Sequence, residues 1–119
     1  MGTASDLWWK MNKQTDETGE TGEKHTPYLT VEGDAKPGNA VKVTVDVGRG
    51  KHPNEAAHSI QWVELRANDL YIGRAEFAAG ITKPIATFTV VVPAQGVTLT
   101  AVERCNLHGL WQSNPLKLG

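Results

Sequence analysis

The sequence predicts an all-β fold, an antiparallel β-sandwich, and three observations lead to it. Short stretches rich in β-branched and aromatic residues recur along the chain after Lys24. Clusters of Gly, Pro, Asn and Asp, which favour turns, separate these stretches. Residues 40–47 place valine at every second position, with Lys, Thr and Asp between them. That period-two alternation is typical of a strand with one buried face.

Six strands are predicted, over residues 28–32, 40–47, 58–66, 70–77, 85–92 and 97–104. Turns are expected at residues 36–39, 67–69 and 93–96, where Pro, Gly, Asn or Asp break the pattern. No stretch shows convincing helical periodicity, and residues 55–57 could form a single turn. Six or seven short strands with such turns indicate an immunoglobulin-like Greek key of about seven strands. A small barrel is the alternative.

The chain length of 119 residues predicts one domain, preceded by an N-terminal arm. We assign residues 1–22 to the arm or extension and residues 23–119 to the domain. Residues 12–23 are polar and of low complexity, which indicates an exposed arm or loop. Before them lies an apolar patch at residues 7–9, Leu-Trp-Trp, which could dock on the domain or on a neighbouring subunit.

Composition argues against several classes of partner. The net charge of −1 gives no basic surplus, so no nucleic-acid partner is expected. No apolar run approaches the roughly 20 residues that span a bilayer, so no membrane partner is expected. The N-terminus lacks the features of a secretory signal. Cys105 is the sole cysteine, which excludes an intramolecular disulfide and favours a reducing compartment, the cytoplasm.

Every histidine and the sole cysteine fall in three short segments, at residues 23–27, 52–58 and 105–111. All three lie at predicted strand ends or in loops, which can converge at one end of a sandwich. A single histidine is more often an ordinary hydrogen-bonded side chain than a metal ligand. Because all four histidines and the sole cysteine cluster in three segments, an ordinary role for all of them is much less expected. The candidate metal ligands are His25, His52, His58, His108 and Cys105.

Four imidazoles and one thiolate suit a transition metal, whereas calcium and magnesium prefer oxygen ligands. Structural zinc usually takes four ligands, and five candidates exceed that number. They fit a five-coordinate iron with one position open for a small reactant. One alternative is a blue-copper electron carrier, although its usual axial Met after the His is missing here. The other is a non-enzymatic domain with a structural zinc or no metal.

The three segments carry motifs that resemble the superoxide reductase family, which includes neelaredoxin and the catalytic domain of desulfoferrodoxin. The first motif is Glu-Lys-His-x-Pro at residues 23–27. The second is His-Pro-x-Glu-x-x-His at residues 52–58, followed by Ile60, Trp62, Glu64 and Leu65. The third is Cys-Asn-x-His-Gly-x-Trp at residues 105–111. Order and spacing agree with the family from residue 23 to residue 111.

The resemblance implies one-electron reduction of superoxide to hydrogen peroxide at a mononuclear non-haem iron, with one iron ion per chain. The four histidines would form the equatorial plane of a square-pyramidal site, and Cys105 would be the axial thiolate. Glu23 would occupy the sixth position in the resting ferric state. Lys24 would attract superoxide to the ferrous site, as a cation beside an anion's entrance should.

The resemblance also implies partners. An external electron donor, rubredoxin-like by analogy, would supply one electron per turnover, and the subunits would form a homotetramer. The four-cysteine iron domain of desulfoferrodoxins cannot be present in this sequence, because no cysteine precedes Cys105. Backbone N–H groups of Leu107 and His108 could bond the Cys105 sulfur. Trp62 and Trp111 are assigned to shielding and packing.

Overall fold

The computed structural model describes residues 4–15 and 19–119, which form two β-sheets with a shared apolar core. Within these ranges there are two short helices, nine strands and one 3₁₀ turn at Gly48–Gly50. The helices are α1 (Ala4–Trp8) and α2 (Gly19–His25). The strands are β1 (Met11–Lys13), β2 (Pro27–Glu32), β3 (Ala40–Val47), β4 (Ile60–Ala67), β5 (Leu70–Glu76), β6 (Ile85–Val91), β7 (Val97–Cys105), β8 (Gly109–Gln112) and β9 (Leu116–Leu118).

The chain crosses repeatedly between the two sheets, as in a Greek-key sandwich. Strands β2, β3 and β6 form the smaller sheet in the order β2-β3-β6. The larger sheet has the order β1-β8-β7-β4-β5, and β9 also pairs with β7. All pairings are antiparallel except that of β1 with β8. The predicted antiparallel β-sandwich is confirmed. The alternative prediction, a small barrel, is wrong, because the strands form two separate sheets.

The core lies between the sheets and extends to the end of β7. Alternate residues of β3, from Val41 to Val47, are buried against residues of β4 and β7 such as Leu65 and Leu99. Each such side chain stabilises the fold by about 1.5–3 kcal/mol when it leaves water. Cys105 is the last member of the inward-facing row of β7 and belongs to the same core. The sole thiol therefore lies in the apolar core.

Several short elements differ from the sequence prediction. The six predicted strands are confirmed with ends shifted by at most two residues, but β1, β8 and β9 have only three or four residues, too few for a visible alternation. Helix α2 replaces part of the expected loop. Residues 55–57 do not form a helical turn, because Glu55 and His58 bond each other's backbone in a tight hairpin-like turn.

The described part of the N-terminal segment packs on the sandwich. Leu7 is only 2% exposed and docks on this chain, whereas Trp9 is 82% exposed. Asn12, expected in an exposed segment, is fully buried, and its side-chain amide donates to the carbonyls of Leu7 and Leu110. Residues 1–3 and 16–18 of the predicted arm lie outside the described residues. The domain boundary at residue 22 stays a prediction. Neither of the described helices has the length and apolarity needed to cross a bilayer.

Candidate metal centre

The four histidines form a nearly square ring at one end of the sandwich. Going round it, neighbouring imidazole centroids are 4.8 Å apart for His25–His52, 4.6 Å for His52–His58, 5.1 Å for His58–His108 and 4.9 Å for His108–His25. The diagonal from His25 to His58 is 6.4 Å. Neighbouring rings are steeply inclined, at 64° to 82°. Four imidazole donors therefore surround one common point.

Cys105 belongs to the same cluster. The donor atoms of His25, His52, His58 and Cys105 all lie within 4.8 Å of one another. His108 completes the group, because its Nδ1 lies 3.6 Å from the Cys105 sulfur and 3.2 Å from His25 Nε2. The structure thus brings together all five side chains that the sequence proposed as metal ligands.

Four parts of the chain carry these side chains to one place. His25 is the last residue of α2, and His52 follows the 3₁₀ turn. His58 closes the tight turn that leads into β4. Cys105 ends β7 and His108 immediately precedes β8, so both belong to the connection between two paired strands. The convergence of loops at one end of the sandwich is as the strand scheme predicted.

Hydrogen bonds fix which ring nitrogen of two histidines faces the centre. His25 Nδ1 lies 2.8 Å from the Thr21 carbonyl oxygen, and His52 Nδ1 lies 2.7 Å from the Pro53 carbonyl oxygen. A carbonyl can only accept, so each Nδ1 must carry the proton. The unprotonated Nε2 of each ring is then free to bind a metal ion, an arrangement common for histidine ligands.

The donor atoms fit a metal ion on two counts. Nε2 of His52 and Nε2 of His58 are buried and have no hydrogen-bond partner among the described residues. Buried polar atoms almost always have a partner, so two orphaned nitrogens aimed at one centre indicate a missing ligand. Imidazole and thiolate donors together are also the set that transition metals prefer.

Burial keeps the imidazoles in the neutral form that metals need. It lowers the pKa of His25 to about 3 and that of His52 to about 4. It also lowers the pKa values of His58 and His108, and the nearby Lys24 charge acts in the same direction on both. All four rings are therefore uncharged at neutral pH, with lone pairs available for coordination.

The Cys105 side chain is buried, and two backbone N–H groups contact its sulfur. Burial raises the pKa of the Cys105 thiol to about 11. Backbone N–H groups of Leu107 and His108 donate to the sulfur and oppose that rise. The two N–H contacts are those expected from the sequence. They would moderate the electron donation of a thiolate to a bound metal ion.

Comparison with known proteins gives a consistent assignment. The family model described as Desulfoferrodoxin matches residues 17–114. A superoxide reductase of Pyrococcus horikoshii is 37% identical over 114 residues, which cover 87% of this chain and 96% of that protein. A superoxide reductase of Pyrococcus furiosus is 37% identical over 111 residues, covering 77% of this chain and 86% of that protein.

Solved structures with a similar fold support the same family assignment. A variant of superoxide reductase (neelaredoxin) from Ignicoccus hospitalis superposes with a TM-score of 0.79 at 32% identity, covering 99% of this chain and 98% of that one. The chain belongs to the desulfoferrodoxin family. The resemblance seen in the three motifs is thereby confirmed, and the shared β-sandwich accounts for the strand pattern.

The two charged residues singled out from the family motif lie in ion pairs on α2. Lys24 Nζ is 2.8 Å from Glu20 Oε1, one helical turn away. Glu23 Oε2 is 2.8 Å from Lys51 Nζ, and both of these side chains are more than half exposed. The Lys24 charge lowers the pKa values of His52, His58 and His108, so its positive charge acts on the histidine ring. Neither ion pair was foreseen from the sequence.

Asn106, a motif residue of the family, ties two donor-bearing loops together. Its side-chain oxygen accepts from the Ser59 backbone N–H at 2.9 Å, and its side-chain amide donates to the Ala57 carbonyl at 3.0 Å. Its own backbone N–H donates to the Ser59 carbonyl at 3.1 Å. Asn106 therefore fixes the segment carrying His58 against the segment carrying Cys105. The Cys-Asn pair in the third motif was the available signal for this role.

Two further residues near the centre are fully buried. Trp111 stacks on His25 with ring centroids 4.6 Å apart and donates its indole N–H to the His108 carbonyl. This is the packing role expected for it. Glu103, two residues before Cys105, has no hydrogen-bond partner for either carboxyl oxygen among the described residues. Burial raises the pKa of Glu103 well above its usual value. Glu103 was not singled out from the sequence, although it falls in the same alternating row of β7 as the core residues Leu99, Ala101 and Cys105.

Proposed function

We propose that this chain reduces superoxide to hydrogen peroxide by one electron at a mononuclear non-haem iron. The observation that carries the proposal is the convergence of four imidazoles and one thiol on a common point, in a chain whose relatives are named superoxide reductases. The chain is accordingly an oxidoreductase enzyme. The overall change is superoxide plus one electron plus two protons giving hydrogen peroxide.

Five donor atoms would hold the iron. They are Nε2 of His25, His52 and His58, Nδ1 of His108 and Sγ of Cys105, with one iron ion per chain. The near-square ring of imidazoles would supply four nitrogen donors around the iron. Cys105, at the end of a core strand, would supply the thiolate donor. Bound iron supplies a one-electron couple and an open position for a small anion.

The protein residues around the donors prepare the site for an anion. Trp111 and the core exclude water from one side of His25. Lys24 places a positive charge beside the histidine ring, which raises the local concentration of superoxide. The N–H groups of Leu107 and His108 hold the Cys105 sulfur and limit its donation. Glu23, on the same helix as Lys24, is the carboxylate that would close the open position in the resting ferric protein.

The proposal also includes the electron donor, the oligomeric state and the cellular location. A separate protein, rubredoxin-like by analogy with the family, would deliver the one electron needed per turnover. The subunits would associate as a homotetramer. A cytoplasmic location agrees with the single thiol, whose metal-binding role requires a reduced state.

Metal analysis combined with superoxide kinetics tests the proposal. Anaerobically purified protein should contain about one iron per chain, should develop a thiolate-to-iron absorption on oxidation, and should consume superoxide stoichiometrically when pre-reduced. The Cys105→Ser variant should lack the absorption. A colourless zinc protein, a copper-type EPR signal, or pre-reduced iron protein that does not react with superoxide would each contradict the assignment.

A further inference from the structure

An ion pair joins the two segments that carry His25 and His52. Lys51 Nζ lies 2.8 Å from Glu23 Oε2. Glu23 is two residues before His25 on α2, and Lys51 immediately precedes His52. The carboxylate proposed to close the open position is therefore already held by a cation from the neighbouring segment.

Backbone contacts fix Lys51 beside α2. The Gly48 N–H donates to the Thr26 carbonyl at 2.9 Å, and the Lys51 N–H donates to the Gly48 carbonyl at 2.9 Å. A Cβ atom at Gly48 would overlap the Lys24 carbonyl oxygen, so helix and turn approach as closely as their backbones permit. Backbone hydrogen bonds and a close backbone contact thus set the two partners of the ion pair side by side.

Lys24 does not compete with Lys51 for Glu23. Its ammonium pairs with Glu20 at 2.8 Å, one turn earlier on α2. Lys24 is also the more buried of the two lysines, with 35% of its side chain exposed against 58% for Lys51. The charges therefore form two separate pairs, Lys24 with Glu20 and Lys51 with Glu23.

We propose that Lys51 is a positioning residue that holds the Glu23 carboxylate away from the open iron position. This inference rests on the proposed function, in which Glu23 closes that position in the ferric protein. Glu23 must give up the Lys51 ammonium before it can close the site. An exposed ion pair shifts an equilibrium by about 1.5- to 5-fold. Lys51 therefore biases the site towards its open form without locking it.

Azide binding to the ferric, iron-loaded protein tests this role. In Lys51→Met, the freed Glu23 competes better for the open position, so the azide dissociation constant should rise by about 1.5- to 5-fold. The measurement is a visible titration at fixed pH and ionic strength, which does not depend on turnover. Lys51→Arg, which can keep the ion pair, should retain wild-type affinity. Lys117→Met, on the exposed position of β9, is the control for loss of one positive charge.

The Glu23→Ala background separates the positioning role from a simple charge effect. Without the carboxylate, the added Lys51→Met change should alter azide affinity clearly less than it does when Glu23 is present. Equal effects in both backgrounds, or no effect in either, would overturn the inference while leaving the iron assignment intact. If the wild-type protein shows no ferric thiolate absorption, the proposed function itself fails and the inference falls with it.

Discussion

Cys105 must lose a proton before it can bind a metal ion, whereas the four histidines need not. Its thiol, with a pKa near 11, is protonated at neutral pH, while the buried imidazoles are neutral. The thiolate is the form that binds a metal ion, so metal uptake must expel the thiol proton. The neutral imidazoles expel none. Ferrous iron affinity should therefore rise with pH, by about tenfold per unit between pH 7 and 9.

Calorimetry can count this proton. Anaerobic titration of the metal-free protein with ferrous iron, in two buffers of different ionisation enthalpy, should report release of about one proton per iron at pH 7.5. The Cys105→Ser variant should release close to none, because a serine hydroxyl keeps its proton. Wild-type protein that releases no proton, or that releases several, would show that the burial of Cys105 and the histidines does not set their protonation as inferred.

Lys24 is expected to govern the rate of encounter with superoxide. Lys24→Ala should slow the bimolecular reaction of the pre-reduced protein by about tenfold and weaken its dependence on ionic strength, since electrostatic steering is lost. Pulse radiolysis at several salt concentrations provides the measurement. Lys36→Ala is the matched control, because Lys36 also pairs with a carboxylate but lies on the turn between β2 and β3, far from the donors. An identical rate for wild type and Lys24→Ala would remove Lys24 from the mechanism.

Glu103 should make the stability of the fold depend on pH. Because burial raises its pKa, the folded chain keeps a proton that the unfolded chain releases above about pH 4.5. The contribution of Glu103 to the unfolding free energy therefore falls as pH rises. Glu103→Gln lacks this loss, so its stability relative to wild type should increase with pH, by up to about 1.4 kcal/mol per unit. Urea unfolding of both proteins at pH 5, 6 and 7 measures the difference in unfolding free energy. If that difference did not change with pH, the inferred protonation of Glu103 would be wrong.

At the scale of elements, the contact between α2 and the 3₁₀ turn sets the spacing of His25 and His52. Gly48 has a positive φ of 71°, and a Cβ there would meet both the Lys24 carbonyl and, at 3.3 Å, the His52 Cβ. Gly48→Ala should push the two elements apart and weaken iron binding at least tenfold, in addition to a backbone penalty of about 1–2 kcal/mol. Equilibrium competition with a chelator measures the affinity.

Gly50→Ala is the control for the Gly48 experiment. Gly50 has a similar positive φ of 83°, but a Cβ there meets no atom within 4 Å. It should carry the same backbone penalty, about 1–2 kcal/mol of unfolding free energy, with near-normal iron affinity. Equal loss of iron affinity in the two variants would mean that strain within the turn, and not its approach to α2, is responsible.

What could be predicted from the sequence differs between elements for physical reasons. Strand β3 was predictable because its valines alternate with polar residues along eight positions. Helix α2 was not, because seven residues with two glycines carry no apolar stripe. It is stabilised instead by the Lys24–Glu20 pair and by the bond from the Thr26 hydroxyl to the Gly22 carbonyl. The alternation of a strand is visible in the sequence, whereas an ion pair and a side-chain hydrogen bond that stabilise a short helix are not.

The same distinction holds within the site. The donor-bearing segments were predictable because histidine and cysteine are rare and their chemistry is specific. The Glu23–Lys51 pair joins residues 28 apart, and Asn106 bridges to Ser59 across 47 positions. Both contacts depend on which loops lie next to each other in the folded chain. A single sequence supplies the residue types, while the folded sandwich decides which of them are neighbours.

For the whole molecule, one of the two edges of the smaller sheet, strand β6, is the feature that bears on assembly. Strand β6 pairs with β3 alone among the described strands, and residues 85–91 include no charge. Its outward side chains, among them Ile85, Thr87 and Val91, are exposed and adjoin a groove of about 540 Å³ that includes Ile72. Natural sheets rarely leave an uncharged edge unprotected. A second copy of this chain, related by a two-fold axis, would place β6 against β6 with no like charges opposed.

A lysine introduced at Thr87 tests whether this edge contributes to the proposed homotetramer. Across a two-fold axis the new ammonium groups would lie near each other, and like charges on neighbouring strands are destabilising. Thr87→Lys should weaken association by about fivefold and shift the mass seen in light scattering towards smaller species. Thr30→Lys is the matched control, because Thr30, Thr44 and Thr87 form one row across the sheet and Thr30 lies on the opposite edge, β2. Dissociation caused by Thr30→Lys but not by Thr87→Lys would assign the contact to β2, since the substitution, the sheet and the row are the same in both variants.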